Sequence, residues 1–240
     1  MTKLYNGDCL ELMKNIPDKS VDMILCDLPY GTTACKWDSV IPFEPLWEQY
    51  NRVIKDNGAI VLFGSEPFSS ALRMSNLKMF KYDWIWDKKK AGNIFLAKYQ
   101  PMKIHEIISV FGRGGVRYFP IKTPRKKIKR CKNYGTGETM GGDRHKEDKV
   151  YEYTDKNPIT ILDFSNAVQK GKQHPTQKPT ALLEYLIKTY TLEGETVLDN
   201  CMGSGSTGVA CINTNRDFIG IELDEKYFEI AKNRIEGLLI

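Results

Sequence analysis

The sequence has no apolar run long enough to cross a bilayer, which leaves no candidate for a membrane-spanning helix. Its start, Met-Thr-Lys-Leu-Tyr-Asn-Gly-Asp-Cys, lacks the hydrophobic stretch of a signal peptide, so the chain is expected to stay where it is made, in the cytoplasm. The six cysteines, Cys9, Cys26, Cys35, Cys131, Cys201 and Cys211, form no Cys-x-x-Cys pair and no metal-type spacing, so no metal is expected. Three of them lie in or beside apolar runs, where a reduced cysteine behaves as a small apolar residue, and reduced thiols are the expectation. No internal repeat is visible. Acid is missing from one conspicuous place: Lys122 to Lys132 carries seven basic residues and no acidic one, although the net charge is only +5. A run this dense needs solvation or a polyanion, so Lys122, Arg125, Lys126, Lys127, Lys129 and Arg130 are either a solvated surface loop or a phosphate-backbone contact.

What is present is 240 residues, enough for one sizeable core and an insertion. Taken in order, Leu10, Met13 and Ile16 mark a helix stopped by Pro17. Val21 to Cys26 is a short buried strand that breaks at Asp27-Leu-Pro-Tyr-Gly31. Residues 31–40 read as a loop and 43–54 as a helix. Ala59 to Phe63 is a second buried strand, Pro67 to Met74 a short helix, and 82–86 and 106–111 are further strands. From Arg113 to about Lys172 apolar periodicity fades, and only 158–162 looks like a strand. Then the pattern returns: a helix over 180–191, a strand over 196–199, a glycine-rich loop opening a helix, a strand over 218–222 and a last helix over 225–238.

Strands that are apolar throughout, alternating with helices, predict an α/β fold with a doubly wound, mostly parallel sheet. The expected division is a catalytic and cofactor-binding domain over 1–112 and 173–240, with an irregular inserted module over 113–172. Asp27, Asp199 and Glu222 each close a strand. In a parallel sheet their carboxylates gather on one rim, where ligands bind in open α/β sheets.

Gly203, Ser204, Gly205, Ser206, Thr207 and Gly208 lie between strand and helix, and this is the logic of a nucleotide pocket. Glu222 is placed to accept hydrogen bonds from two ribose hydroxyls. A nicotinamide dinucleotide and S-adenosylmethionine both fit such a pocket. Asp199 favours the second, since it suits an ammonium and repels a pyrophosphate. His174, Thr176 and Lys178 are candidate donors to the cofactor's carboxylate.

These stretches together resemble the amino-group DNA methyltransferases of the N6-adenine and N4-cytosine type. Asp27-Leu-Pro-Tyr30 is similar to their catalytic Asp-Pro-Pro-Tyr block, and Asp199-Asn-Cys-Met-Gly-Ser-Gly205 to their Asp-Pro-Phe-x-Gly-x-Gly cofactor block. His174 to Pro179 resembles the lead-in to the latter. Catalytic block first and cofactor block last is the order of the beta class, a circular permutation of the Rossmann-like S-adenosylmethionine-dependent fold. The resemblance covers about 4–112 and 173–235 and leaves the middle module as a target-recognition region. Leu28, Asn200 and Cys201 depart from the usual residues.

The resemblance implies transfer of a methyl group from S-adenosylmethionine to the N6 amino group of adenine in double-stranded DNA, on a base flipped out of the helix. Asp27 and a main-chain oxygen of Leu28 or Pro29 would accept the two amino N–H groups, and Tyr30 would stack on the base. Asp8 and Cys9 would lie near the cofactor's adenine ring, or merely cap a helix; Cys201 would form a smaller wall there. Adenine is preferred because Asp heads the block. N4-cytosine methylation, a silent DNA-binding module that keeps the fold, and a dehydrogenase are the rivals. Methylation of a protein glutamine is disfavoured by the motif order and the basic module. A homodimer and a cognate restriction enzyme stay open as partners.

Overall fold

The computed structural model describes residues 1–32, 38–132, 150–166 and 177–238. His174, Thr176 and the middle of the 31–40 loop lie outside them. The chain divides into two compact units, Met1–Phe119 with Thr160–Ile240, and Pro120–Ile159. No helix of the described residues is long and apolar enough to cross a membrane.

The larger unit is built on one eight-stranded sheet. Its centre is β2 (Val21–Cys26), all six residues of which are buried. It lies between β9 (Thr196–Asp199) and β3 (Ile54–Gly64), parallel to both. Beyond β9 come β10 (Asp217–Glu222) and β1 (Thr2–Asn6), again parallel. On the other side β5 (His105–Phe111) pairs antiparallel with β3 and with β4 (Phe80–Asp87), and β8 (Ile161–Asp163) runs parallel to β4 at the edge. Seven strands therefore point one way, and β5 alone runs against them. The doubly wound, mostly parallel α/β sheet expected from the apolar runs is what forms.

Alternate residues of β2 enter different cores, as strand geometry requires. Met23 and Leu25 join the helices α4 (Thr180–Tyr190), α5 (Ser206–Asn213) and α6 (Glu225–Glu236) on one face. Ile24 and Cys26 join α1 (Cys9–Met13), α2 (Phe43–Val53) and α3 (Phe68–Ser75) on the other. Each large apolar side chain so buried contributes about 1.5–3 kcal/mol relative to exposure. Continuous apolar strands are thus explained by two covered faces.

Two local readings differ. The strand expected at Ala59 begins at Ile54, directly after α2, because Ile54 pairs with Val21 before a register shift restores the ladder. Residues 113–119 and 160–166, read from sequence with the insertion, belong to the larger unit. Arg117 and Phe119 donate main-chain N–H groups to Asn57 and Thr189, and Leu162 is buried in the core.

The smaller unit contains an antiparallel ribbon of β6 (Thr123–Lys132) and β7 (Val150–Lys156). The basic run is therefore a strand rather than a loop. Between the Pro124–Asp155 and Lys129–Tyr153 pairs, Arg125 to Ile128 stand opposite Thr154 alone, so four residues bulge against one. Arg125 donates to the Asp155 carbonyl at 2.8 Å and Arg130 pairs with Glu152 at 2.6 Å. Lys122, Lys126, Lys127 and Lys129 are exposed.

Candidate active site

The apolar run of β2 ends at Cys26, and Asp27 emerges at the carboxyl rim of the sheet. Leu28 turns back into the core and is 3% exposed, which accounts for an apolar residue where the family pattern has proline. Pro29 and Gly31 (φ +68°) then turn the chain. The turn is held by Asp38, a buried carboxylate that the sequence reading did not single out. It accepts main-chain N–H groups from Tyr30 and Gly31 at 2.8 Å each and from Thr32 at 2.9 Å. A side chain on Gly31 would meet Val40 at 2.9 Å. The Tyr30 ring lies 5.0 Å from Phe68, tilted by 31°.

Both oxygens of Asp27 are engaged. Oδ1 accepts from the Tyr30 hydroxyl at 2.5 Å, and Oδ2 pairs with the Lys178 ammonium at 2.7 Å. Lys178 also reaches Glu106 at 3.0 Å, and Glu106 reaches Lys88 at 3.2 Å. The result is an alternating chain of charges, Asp27–Lys178–Glu106–Lys88. The Lys178 ammonium is almost wholly buried and sits 5.1 Å and 5.8 Å from the ring centres of Phe63 and Trp86. Burial alone would lower its pKa, but the carboxylates of Asp27 and Glu106 outweigh burial and hold it above the usual lysine value. Burial likewise opposes ionisation of Glu106, and the two lysines hold its pKa below the usual carboxylate value. Burial and the neighbouring Asp27 carboxylate push the Tyr30 phenol well above its ordinary pKa, so it stays a donor.

The other half of the rim is the glycine-rich loop between β9 and α5. Gly203 (φ +52°) has nothing within 4 Å of where a Cβ would stand, so its main chain is open to the cavity. Gly205 (φ +78°), also expected at the cofactor, is not among the residues that line the cavity. It is set against α6, where a Cβ would come 2.9 Å from that of Ala231. Arg234 from α6 fixes the loop, donating to the Ser204 carbonyl and, at 3.0 Å, to the Ser204 hydroxyl. Glu222 accepts N–H groups from Gly203 at 2.8 Å and Asp224 at 2.9 Å. Burial raises its pKa against the pull of those bonds. Burial also raises Asp199 to about 7, with the Thr207 hydroxyl and the Cys201 N–H opposing and the nearby Asp27 reinforcing the shift. Asn200 accepts from the Tyr50 hydroxyl at 2.6 Å, tying this loop to α2; the departure from proline thus has a structural partner.

These groups enclose a cavity of about 430 Å³, a size typical of small-ligand sites. Asp27, Leu28, Pro29 and Tyr30 line one part. Asp8, Cys9, Asp199, Cys201 and Glu222 line another, with Gly203, Ser204, Ser206 and Thr207. Asp8 also caps α1, accepting from the N–H groups of Leu10 at 2.7 Å and Glu11 at 3.3 Å. Among the described residues Cys9, Cys26, Cys201 and Cys211 are free thiols. Cys201 lies within hydrogen-bonding reach of Cys9 and Cys26, and burial pushes the Cys26 thiol up to about 12. Lys178, expected to face a cofactor carboxylate, is engaged instead by Asp27 and Glu106. Glu106 was missed because it opens its strand rather than closing it. Only the reversed direction of β5 brings it to the rim.

A nucleotide-bearing sulfonium cofactor suits this donor set. Asp199 offers a carboxylate to an ammonium, Glu222 offers one to hydroxyls, and Gly203 leaves room for close approach of a ligand.

Comparison with known proteins agrees with the geometry. The chain is 29% identical over 250 residues to the type II methyltransferase M.HpaI of Haemophilus parainfluenzae, spanning 98% of this chain and 74% of that protein. It is 28% identical over 254 residues to the DNA adenine methyltransferase YhdJ of Escherichia coli, spanning 97% and 82%. Among solved structures, the M1.HpyAVI–SAM complex superposes with a TM-score of 0.66 at 26% identity, covering 98% of this chain and 100% of that one. The cytosine-N4-specific PvuII DNA methyltransferase shares the fold, with a TM-score of 0.70 at 16% identity over 99% and 90% of the two chains. The DNA methylase family of N6 and N4 methyltransferases matches residues 21–233, and the chain belongs to it.

Proposed function

We propose that this DNA methylase acts on the N6 amino group of adenine in double-stranded DNA, with Asp27 and Tyr30 at the reacting base and the Asp199–Glu222 side of the cavity holding S-adenosylmethionine. The observation that carries the reading is Asp27 at the rim of a cofactor-sized cavity, backed by Tyr30 and fixed by Lys178. The two adenine-specific or SAM-bound relatives, YhdJ and M1.HpyAVI, support adenine and the cofactor respectively. Nucleoside mass spectrometry of duplex DNA treated with the protein tests the base: N6-methyladenine is the expected product, and N4-methylcytosine in its place overturns the adenine assignment.

An exocyclic amino group is a poor nucleophile because its lone pair is delocalised into the ring. Hydrogen bonds accepted from both of its N–H groups favour a pyramidal nitrogen. Asp27 accepts one and the main-chain oxygen of Leu28 or Pro29 the other. S-adenosylmethionine, when bound, supplies an electrophilic methyl group on sulfur. The chain's own part is positioning: holding the amino nitrogen and stacking Tyr30, backed by Phe68, on the extruded base. For a base to reach Oδ1 of Asp27 directly, the Tyr30 hydroxyl must yield or share that oxygen.

Asp199 gives this reading a pH signature. Its ionised form binds an ammonium, and its pKa is near 7. Below that pH the carboxyl is neutral, so cofactor affinity should weaken by about tenfold per pH unit as pH falls. Calorimetric titration of S-adenosylhomocysteine from pH 8 to pH 5.5 measures this, and Asp199→Asn should flatten the slope.

The ribbon of β6 and β7 is read as a phosphate-backbone contact within a target-recognition unit. Replacing exposed Lys126, Lys127 and Lys129 together by Ala should lower the slope of log affinity against log salt by about 2–3 without changing the sequence methylated. An unchanged slope returns the ribbon to a solvated surface. A homodimer and a partnered restriction enzyme are extensions of the same reading, supported only by the type II relatives.

A further inference from the structure

Apart from Lys88, which pairs with Glu106, the loop between β4 and β5, residues 88–104, has no role in the account so far. It springs from the wall of the cavity: Trp86 and Glu106 are register partners on the two strands, and both line the site. The ladder continues into the loop through Lys88 N–H to the Ile104 carbonyl at 2.9 Å and Gly92 N–H to the Lys103 carbonyl at 2.8 Å. Lys103 N–H then donates to the Asn93 side chain at 2.7 Å. The tip is a short 3₁₀ turn, Ile94–Leu96, entered through Asn93 in a left-handed conformation. It is a built projection on the catalytic rim.

Its surface is unusual for a soluble protein. Phe95 is 93% exposed and Tyr99 85%, with Ile94, Leu96 and Met102 also exposed beside them. Large apolar side chains exposed together on one short loop mark a contact surface. The charge around it selects the partner. Residues 88–104 hold five lysines, Lys88, Lys89, Lys90, Lys98 and Lys103, and no Asp or Glu. Among the described residues Lys88 and Lys89 are engaged in ion pairs, while Lys90 and Lys98 are exposed. Apolar tip and basic flanks fit a duplex, with its stacked interior behind a phosphate backbone, better than a second copy of the same basic loop.

We propose that the 88–104 loop enters DNA at the target base pair, with Phe95 filling the space left by the extruded base, Tyr99 stacking beside it, and Lys90 and Lys98 on the adjoining phosphates. Extrusion costs unpairing and unstacking, and an apolar wedge between base steps offsets part of that cost. The proposal rests on the reading of this chain as an enzyme that flips its base.

The test uses the whole protein and a duplex carrying the position that the wild type methylates. Single-turnover methylation is measured for wild type, Phe95→Ala and Phe95→Ala/Tyr99→Ala on that duplex, and on one with an abasic site opposite the target. The double variant should be slower by about tenfold or more on the matched duplex and should recover to within about threefold of wild type on the abasic one, where the base is already unpaired. S-adenosylhomocysteine affinity should stay unchanged. No loss on the matched duplex, or an equal loss on both, overturns the proposal. So does a variant that loses a wild-type dimer in sedimentation, since the face would then lie between copies. A wild type that methylates neither duplex defeats the enzymatic reading instead, so the two failures are distinct.

Discussion

Replacing Asp27 by Ala should lower the rate of methyl transfer by about 10²–10³-fold, the range lost with one preorganised hydrogen-bond partner of the reacting group. The amino nitrogen reacts only when its lone pair is released from the ring, and Asp27 is the one charged acceptor that the Asp27–Tyr30 block brings to the cavity. The main-chain oxygens of Leu28 and Pro29 survive the substitution, which is why the loss is finite. Cofactor affinity should hold, because Asp199 and Glu222 stand on different strands with their own partners. Calorimetry with S-adenosylhomocysteine checks this: a matching loss of affinity would mean that Asp27 shapes the cofactor pocket rather than the chemistry.

Lys178→Met should cost about 10–10²-fold in kcat, and its origin should show in a rescue. Removing the ammonium leaves Asp27 and Glu106 as two partly buried carboxylates without the cation between them. Breaking a buried pair by deleting one partner is more damaging than removing the pair, because an uncompensated charge remains. Lys178→Met/Glu106→Gln should therefore be faster than Lys178→Met alone, and more stable to heat. The cofactor's dissociation constant should change by no more than about twofold in either variant. If Lys178 instead grips a cofactor carboxylate, that constant rises steeply and Glu106→Gln rescues nothing.

Much of this was legible in the residues. The two-faced core was written in Val21 to Cys26, since a strand without alternation has no solvent side. The rim of acids followed from strand ends in a parallel sheet, and β2, β9 and β10 do lie side by side. What sequence reasoning lacked was strand direction. Glu106 opens β5, and an opening residue reaches the carboxyl rim only when its strand runs backward. Lys178 was a candidate donor to the cofactor's carboxylate, and the anions it meets in the structure are Asp27 and Glu106. Asp38 acts on main-chain N–H groups of its own turn and Arg234 on a main-chain carbonyl of a distant loop, contacts that leave no periodic trace. The basic run read as a loop because its charge hid the alternation of an exposed ribbon, neither strand of which has a core side to mark with apolar residues.

The most direct test of the central claim is transfer of a labelled methyl group from S-adenosylmethionine to duplex DNA, comparing wild type with Asp27→Ala at saturating cofactor. The account predicts label on adenine N6 with the wild type and almost none with the variant, at equal cofactor occupancy. Label transferred by Asp27→Ala at the wild-type rate would contradict it.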